Sequence, residues 1–277
     1  LRKLDVDATN HPLDMAEWHD MVERMLKDYD RKVTLGVVGK YVELQDSYIS
    51  LTEALRHAAM ANEANLDIKW INAELVEEGE IDLEAELKDV DCILVPGGFG
   101  SKGLEGKISA IKYARENKVP FFGICLGMQC AVVEYARHIG MTGANTTEAN
   151  AETAYPVIDI LPDQQDVEEK GAMRLGLYPC KVAAGSLTEK AYGEALIYER
   201  HRNRYEVNNA FREELEKNGL VIAGALPNGR LVEIVELPTD VHPWFMGVQF
   251  HPELKSRPTN PHPLFRDFIA AALKEQK

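Results

Sequence analysis

Gly123-Ile124-Cys125-Leu126-Gly127 sets one cysteine between two glycines, where an apolar run ends and a helical pattern begins. That is the cysteine form of a nucleophile elbow. The turn from strand to helix is so sharp that neighbouring side chains would collide, so glycine is needed on both sides. A helix starting at Leu126 aims its free N–H groups and positive end at the sulfur, which favours the reactive thiolate. Cys130, further along the same helical pattern, is expected in the core.

A cysteine nucleophile needs a base, most often histidine. Among eight histidines, His251 directly follows the apolar run 244–250 and precedes Pro252 and Glu253. Catalytic groups in open α/β sheets gather at the carboxyl ends of strands, and Cys125 and His251 both stand there. Residues two apart in extended chain share a face. Glu253 can then hold the far nitrogen of His251, set its tautomer and stabilise the imidazolium. A His-Pro pair can also simply end a strand, and at this point that plainer reading stays open. His242 stands at the wrong end of the same strand, and His57 and His138 fall inside helical patterns.

Pro96-Gly97-Gly98-Phe99-Gly100 follows another buried strand. Such loops often cradle phosphate, but no Gly-Lys-Ser/Thr ending is present, which excludes a P-loop. A backbone N–H here, with the N–H that follows the nucleophile, can instead form an oxyanion hole. That assigns Gly98 and Leu126.

These residues need a frame, and strand-like and helix-like stretches alternate to supply one. Strands are predicted at 33–38, 66–73, 91–96 and 120–124, with helices at 47–62, 105–117 and 126–138. The alternation argues a parallel sheet covered on both faces, with right-handed crossovers. Beyond Gly140 the pattern changes. Residues 141–154 are polar and irregular; strands at 155–161 and 175–182 flank an acidic loop, 163–170. A helix at 209–218, a hairpin of 220–226 with 231–237, a last strand at 244–250 and a closing helix at 262–277 complete the chain. Leu13, Met15, Trp18, Met21, Val22, Met25, Leu26 and Tyr29 recur at helical spacing. That helix is either a linker docked on something else or a packed helix of the same domain.

The 277 residues carry a net charge of -14, which repels phosphate backbones and excludes nonspecific nucleic-acid binding. Arg200, Arg202 and Arg204 form a local basic exception. The four cysteines fit no zinc template, so no metal is expected, and a chain this large needs no disulfide staples. That pattern reads as a reducing, cytoplasmic setting. No apolar run reaches transmembrane length, and no signal-peptide pattern opens the chain. The first residue is Leu1 rather than Met, as in a fragment of a longer protein.

The three motifs, Gly97 to Gly100, Gly123 to Gln129 and Phe250 to Glu253, resemble the class I glutamine amidotransferases in order and spacing. Gly39 to Tyr48, Ala114 to Asn117, Met173 to Gly176, Glu199 to Asn208 and His262 to Phe265 resemble the CTP synthase family among them. The resemblance implies an α/β fold: a central, mostly parallel sheet flanked by helices, of flavodoxin-like architecture. It implies hydrolysis of L-glutamine to glutamate and ammonia by a Cys125–His251–Glu253 triad through a glutamyl thioester. Gly98, Leu126, Gly127, Met128 and Gln129 would line the glutamine site, and Glu148 and Arg204 would hold the amino-acid end. Residues 1–32 would be a linker and 33–277 the glutaminase domain, with the N-terminal synthase half absent. That half would use ATP, Mg and UTP, and GTP would activate allosterically; this domain would need no cofactor. The full enzyme would be a homotetramer with no nucleic-acid or membrane partner. Two alternatives are an amidotransferase subunit of another synthase, against which Arg200 to Glu206 argues, and a noncatalytic filament module.

Overall fold

The computed structural model describes residues 14–160 and 173–276. The acidic loop 163–170 and the whole segment before Asp14, with Leu13 of the expected first helix, lie outside the described residues, as do Leu161 and Lys277. In chain order the elements are α1 (Ala16–Leu26), β1 (Arg31–Gly39), α2 (Ile49–Ala61), β2 (Ala64–Asn72), α3 (Ala73–Glu77), α4 (Leu83–Leu87), β3 (Cys92–Val95) and α5 (Leu104–Asn117). Then come β4 (Phe121–Ile124), α6 (Leu126–His138), β5 (Asn145–Thr146), β6 (Pro156–Asp159), β7 (Arg174–Val182), α7 (Leu187–Tyr192), β8 (Leu196–Asn203) and β9 (Glu206–Val207). The last are α8 (Asn209–Lys217), β10 (Val221–Ala225), β11 (Val232–Glu236), β12 (Phe245–Val248) and α9 (Pro263–Glu275).

A nine-stranded sheet in the order β2-β1-β3-β4-β12-β11-β10-β7-β8 forms the centre. From β2 to β12 neighbours pair in parallel; from β12 to β8 every pairing is antiparallel. The sequence shows the reason for the parallel half. Successive residues of a strand point to opposite faces, and both faces here are apolar. Ile93, Val95, Phe121 and Phe245 join one core with α5 and α6. Cys92, Leu94, Phe122, Ile124, Met246 and Val248 join another with α2 and α9. Helices therefore cover both sides, as a buried parallel sheet requires.

The strand expected at 155–161 is β6, and it joins a separate three-stranded sheet, β5-β6-β9. The strand β8 was not anticipated. Its burial alternates along all eight residues, but the buried set is Ile197, Glu199, His201 and Asn203. Three of those four are polar, so no hydrophobic alternation marks the strand. In α1 only Met21 is buried, while Trp18, Met25 and Leu26 are exposed.

Candidate active site

β4 ends at Ile124, and α6 begins at Leu126, so Cys125 makes the whole turn alone. Its φ of 52° and ψ of -105° lie where side-chain-bearing residues are strained, at a cost of about 1–3 kcal/mol. The corner is held because Cys125 N–H donates to Val248 O at 2.7 Å. Both glycines are needed for close approach. A β-carbon at Gly127 would stand 2.1 Å from Val95 O, and one at Gly123 would stand 2.7 Å from the Gly127 carbonyl.

β12 runs parallel to β4, with Val248 beside Ile124, so the chain beyond β12 emerges at the same edge as Cys125. His251 N–H donates to Arg200 O at 2.8 Å, which ties the histidine to β8. Its Nδ1 stands 2.7 Å from Glu253 Oε1. The expected contact is made, but not by extended chain: Pro252–Leu254 is a single 3₁₀ turn. His251 Nε2 is buried without a hydrogen-bond partner. Burial alone would lower the His251 pKa, but Cys125 and Glu253 outweigh it and raise it from 6.5 to about 10.

The glycine loop lies between these groups. A β-carbon on Gly97 would come 2.9 Å from His251 Cε1 and 3.4 Å from Cys125 Cβ. One on Gly98 would meet Leu126 Cδ2 at 3.4 Å, so the two residues expected to supply oxyanion N–H groups are neighbours. Glu148 Oε1 accepts from Gly100 N–H at 2.9 Å. Arg204 is half-buried and its Nε has no hydrogen-bond partner. Burial and then Glu148 push the Tyr205 phenol up, with Arg204 opposing, so both charged groups lie within electrostatic reach of Tyr205.

Not every expected residue presents its side chain to this space. Met128 is fully buried and packs on Gly247, where a β-carbon would stand 3.0 Å from Met128 Cγ. Gln129 Nε2 donates to Tyr205 O at 3.0 Å and to Gln249 Oε1 at 3.1 Å. Met128 can meet a ligand only through its backbone, and Gln129 acts first on protein groups. Cys130 is core, with burial pushing its thiol up to about 12.

A cavity of about 390 Å³ opens over Cys125, His251 and Glu253, lined also by Tyr41, Tyr48, Phe99 and Arg202. The sequence reading had not placed these last four at the site. Tyr41 and Tyr48 fall in the Gly39–Tyr48 stretch and Arg202 in the Glu199–Asn208 stretch, so their motifs were the available signal. The Arg202 guanidinium lies 5.3 Å from the Phe99 ring centroid. Gln249 was also missed, because it is a polar residue inside an apolar strand run.

A sheet corner with a strained cysteine beside a glycine loop and a His–Glu pair is the layout of enzymes that use a cysteine nucleophile. Comparison with known proteins narrows that class. Residues 43–271 match the family described as glutamine amidotransferase class-I. CTP synthase of Clostridium kluyveri is 57% identical over 265 residues, 95% of this chain and 48% of that protein. CTP synthase of Clostridium acetobutylicum is 56% identical over 273 residues, 98% of this chain and 50% of that protein. The glutaminase domain of Trypanosoma brucei CTPS, solved with bound acivicin, superposes with a TM-score of 0.81 at 37% identity. The match covers 88% of this chain and 95% of that one. The chain belongs to the class I glutamine amidotransferases. It spans about half the length of the curated relatives it matches.

Proposed function

We propose that this chain hydrolyses L-glutamine to glutamate and ammonia, with Cys125, His251 and Glu253 as its triad. The observation that carries the reading is the His251–Glu253 contact of 2.7 Å, packed with Cys125 around Gly97. A histidine raised to about 10 stays imidazolium at neutral pH, as a thiolate partner requires. The sulfur attacks the side-chain carbonyl carbon of glutamine, and the oxyanion takes N–H bonds from Gly98 and Leu126. His251 gives its proton to the departing ammonia, leaving a glutamyl thioester. Water then attacks the thioester carbon while His251 takes its proton. The carbon–sulfur bond breaks with its electron pair returning to Cys125, and glutamate is released. Glu253 keeps the ring oriented and charged. Arg204 takes the substrate carboxylate and Glu148 its ammonium.

The CTP synthase relatives support a coarser role: ammonia made here feeds amination of UTP to CTP by a synthase half. That half would precede residues 1–32, acting as a linker, and would use ATP and Mg. GTP activation and a tetramer belong to the whole assembly. Among the described residues no helix is long and apolar enough to cross a membrane.

The test is glutamine hydrolysis by the chain and by Cys125→Ala, with ATP, UTP and ammonia supplied in a parallel reaction. Hydrolysis that needs Cys125, without any CTP, is expected. Hydrolysis that survives Cys125→Ala refutes the triad; CTP made by this chain alone refutes the division of labour.

A further inference from the structure

We infer that Gln249 is a further catalytic residue: its side-chain amide donates a hydrogen bond to the Cys125 sulfur and stabilises that sulfur as an anion. The inference rests on Cys125 being the nucleophile. Gln249 is fully buried directly after β12, and its Nε2 stands 3.6 Å from Cys125 Sγ. The backbone there is fixed on two sides. Gln249 N–H donates to Glu233 O at 2.8 Å, and the carbonyl of the preceding residue, Val248, accepts from Cys125 N–H at 2.7 Å.

The orientation of the amide is set by a second amide. Gln129 Nε2 donates to Gln249 Oε1 at 3.1 Å, and the same nitrogen donates to Tyr205 O at 3.0 Å. Tyr205 O is a backbone carbonyl and can only accept, so the Gln129 amide must turn its NH₂ that way. Gln249 must then turn its oxygen to Gln129 and its NH₂ to the sulfur. Turned over, it would set NH₂ against NH₂ and its carbonyl against a thiolate. Neither arrangement makes a hydrogen bond, and a buried donor left unpaired is costly. The chain Tyr205–Gln129–Gln249–Cys125 therefore points one N–H at the reacting atom.

Such a donor acts twice in the reaction. A charge-assisted hydrogen bond is roughly twice as strong as a neutral one, and the dry surroundings strengthen it further. While the sulfur is free it carries the charge, and the bond favours thiolate over thiol. In the thioester the charge is gone and the bond weakens. When the water adduct collapses, the carbon–sulfur bond breaks and its electron pair returns to sulfur, and the same N–H meets the charge as it forms. Gln249 thus favours both the attacking and the leaving thiolate, whereas His251 handles protons. Glutamine suits this position because it donates to sulfur while accepting from Gln129. Glutamate would bring a second negative charge, and methionine would bring no donor.

The experiment follows alkylation of Cys125 by iodoacetamide across pH in the full chain, in Gln249→Met and in Gln129→Met, with peptide mass mapping to exclude the other cysteines. Thermal melting reports folding, and glutamine hydrolysis is measured on the same samples. In Gln249→Met, the alkylation profile should move up by about one pH unit, so that alkylation well below the midpoint of the parent's profile slows about tenfold. The kcat should fall at least about tenfold, with KM within about twofold, as expected for a group that acts on the reacting atom. Gln129→Met should shift both in the same direction by less, because it only frees the Gln249 amide to turn. Should Gln249→Met fail to fold, the isosteric Gln249→Glu carries the test, with a larger upward shift expected. A folded Gln249 variant with an unchanged alkylation profile overturns the role of Gln249 and leaves Cys125 standing. Absence of selective Cys125 alkylation in the parent chain overturns the nucleophile, and Gln249 with it.

Discussion

β4 and β8 both hold groups at the site, and they are made of opposite materials. β4 is Phe121, Phe122, Gly123 and Ile124, all buried, and it delivers Cys125 through packing and two glycine contacts. β8 buries Glu199, His201 and Asn203 on its inner face. Their neighbours are charged. Arg174 Nη1 and Nη2 reach Glu206 Oε1 at 2.8 Å and Glu233 Oε1 at 2.7 Å, and His201 Nε2 stands 3.2 Å from Glu233 Oε2. Asn203 Nδ2 donates to Glu206 Oε1 at 2.8 Å and to Tyr205 O at 3.1 Å. This network pins the turn that carries Arg204, and Arg200 O of the same strand holds His251 N–H. Apolar packing gives Cys125 a rigid corner. Paired charges give the turn that carries Arg204 a directional hold, at the risk that losing one partner leaves another buried and unpaired.

That contrast can be broken at the nucleophile's side first. His251→Ala should lower kcat by about 10⁴-fold, the size expected when a triad loses its proton carrier. Glu253→Gln should cost less, about 10²–10³-fold, because it orients rather than transfers. Equal and mild losses in steady-state kinetics would mean that another base operates. The pH dependence has a definite sign. The His251 pKa is raised from 6.5 to about 10, so its contribution to stability is full below about 6.5 and is lost as pH rises toward 10. Urea titrations across that range should show the loss in the parent chain and a smaller one in Glu253→Gln.

On the β8 side, Arg174→Met should destabilise the fold by about 3–5 kcal/mol, since it removes the buried cation that both Glu206 and Glu233 contact. A urea midpoint that does not move would show the network to be idle. Arg204→Ala should leave the fold intact and weaken glutamine binding by about 1.5–3 kcal/mol. That loss should be read mostly in KM, with only partial recovery in Arg204→Lys, which lacks the planar fork. An unchanged KM would remove Arg204 from the site. The smallest effect is expected at Glu233. Burial and Glu206 push its pKa up to about 8 against the opposing pull of Arg174. An acid held protonated in the fold makes stability fall as pH rises from 4.5 to about 8. Glu233→Gln should therefore flatten that slope, leaving parent and variant within about 1 kcal/mol of each other in the acid range where both side chains are neutral. A slope unchanged in this variant assigns the titration elsewhere.

The same contrast explains what could be read from the sequence. The parallel half was legible because its strands are short apolar runs and its corner demands glycine: β4, α6 and the positions of Cys125 and His251 follow from local rules. The hairpin of β10 and β11 was legible from its turn residues, Pro227 to Arg230. β8 was not, because its inner face is polar and becomes intelligible only beside Arg174 and Glu233, which lie 27 and 32 positions from His201. Gln249 was hidden for a related reason: one polar residue in an apolar strand has no local signature, and its meaning lies in Gln129 and Cys125. Glu148 was readable by resemblance, but its bond to Gly100 N–H joins two loops that no spacing rule connects.

Everything proposed for the site depends on Cys125 reacting with the side-chain carbonyl of glutamine. The most direct measurement is mass spectrometry of the chain after incubation with a glutamine-like electrophile, followed by peptide mapping. One adduct on Cys125, prevented by excess glutamine and lost in Cys125→Ala together with hydrolysis, is the expected result. An adduct on Cys130, or glutamine hydrolysis that persists in Cys125→Ala, would contradict it.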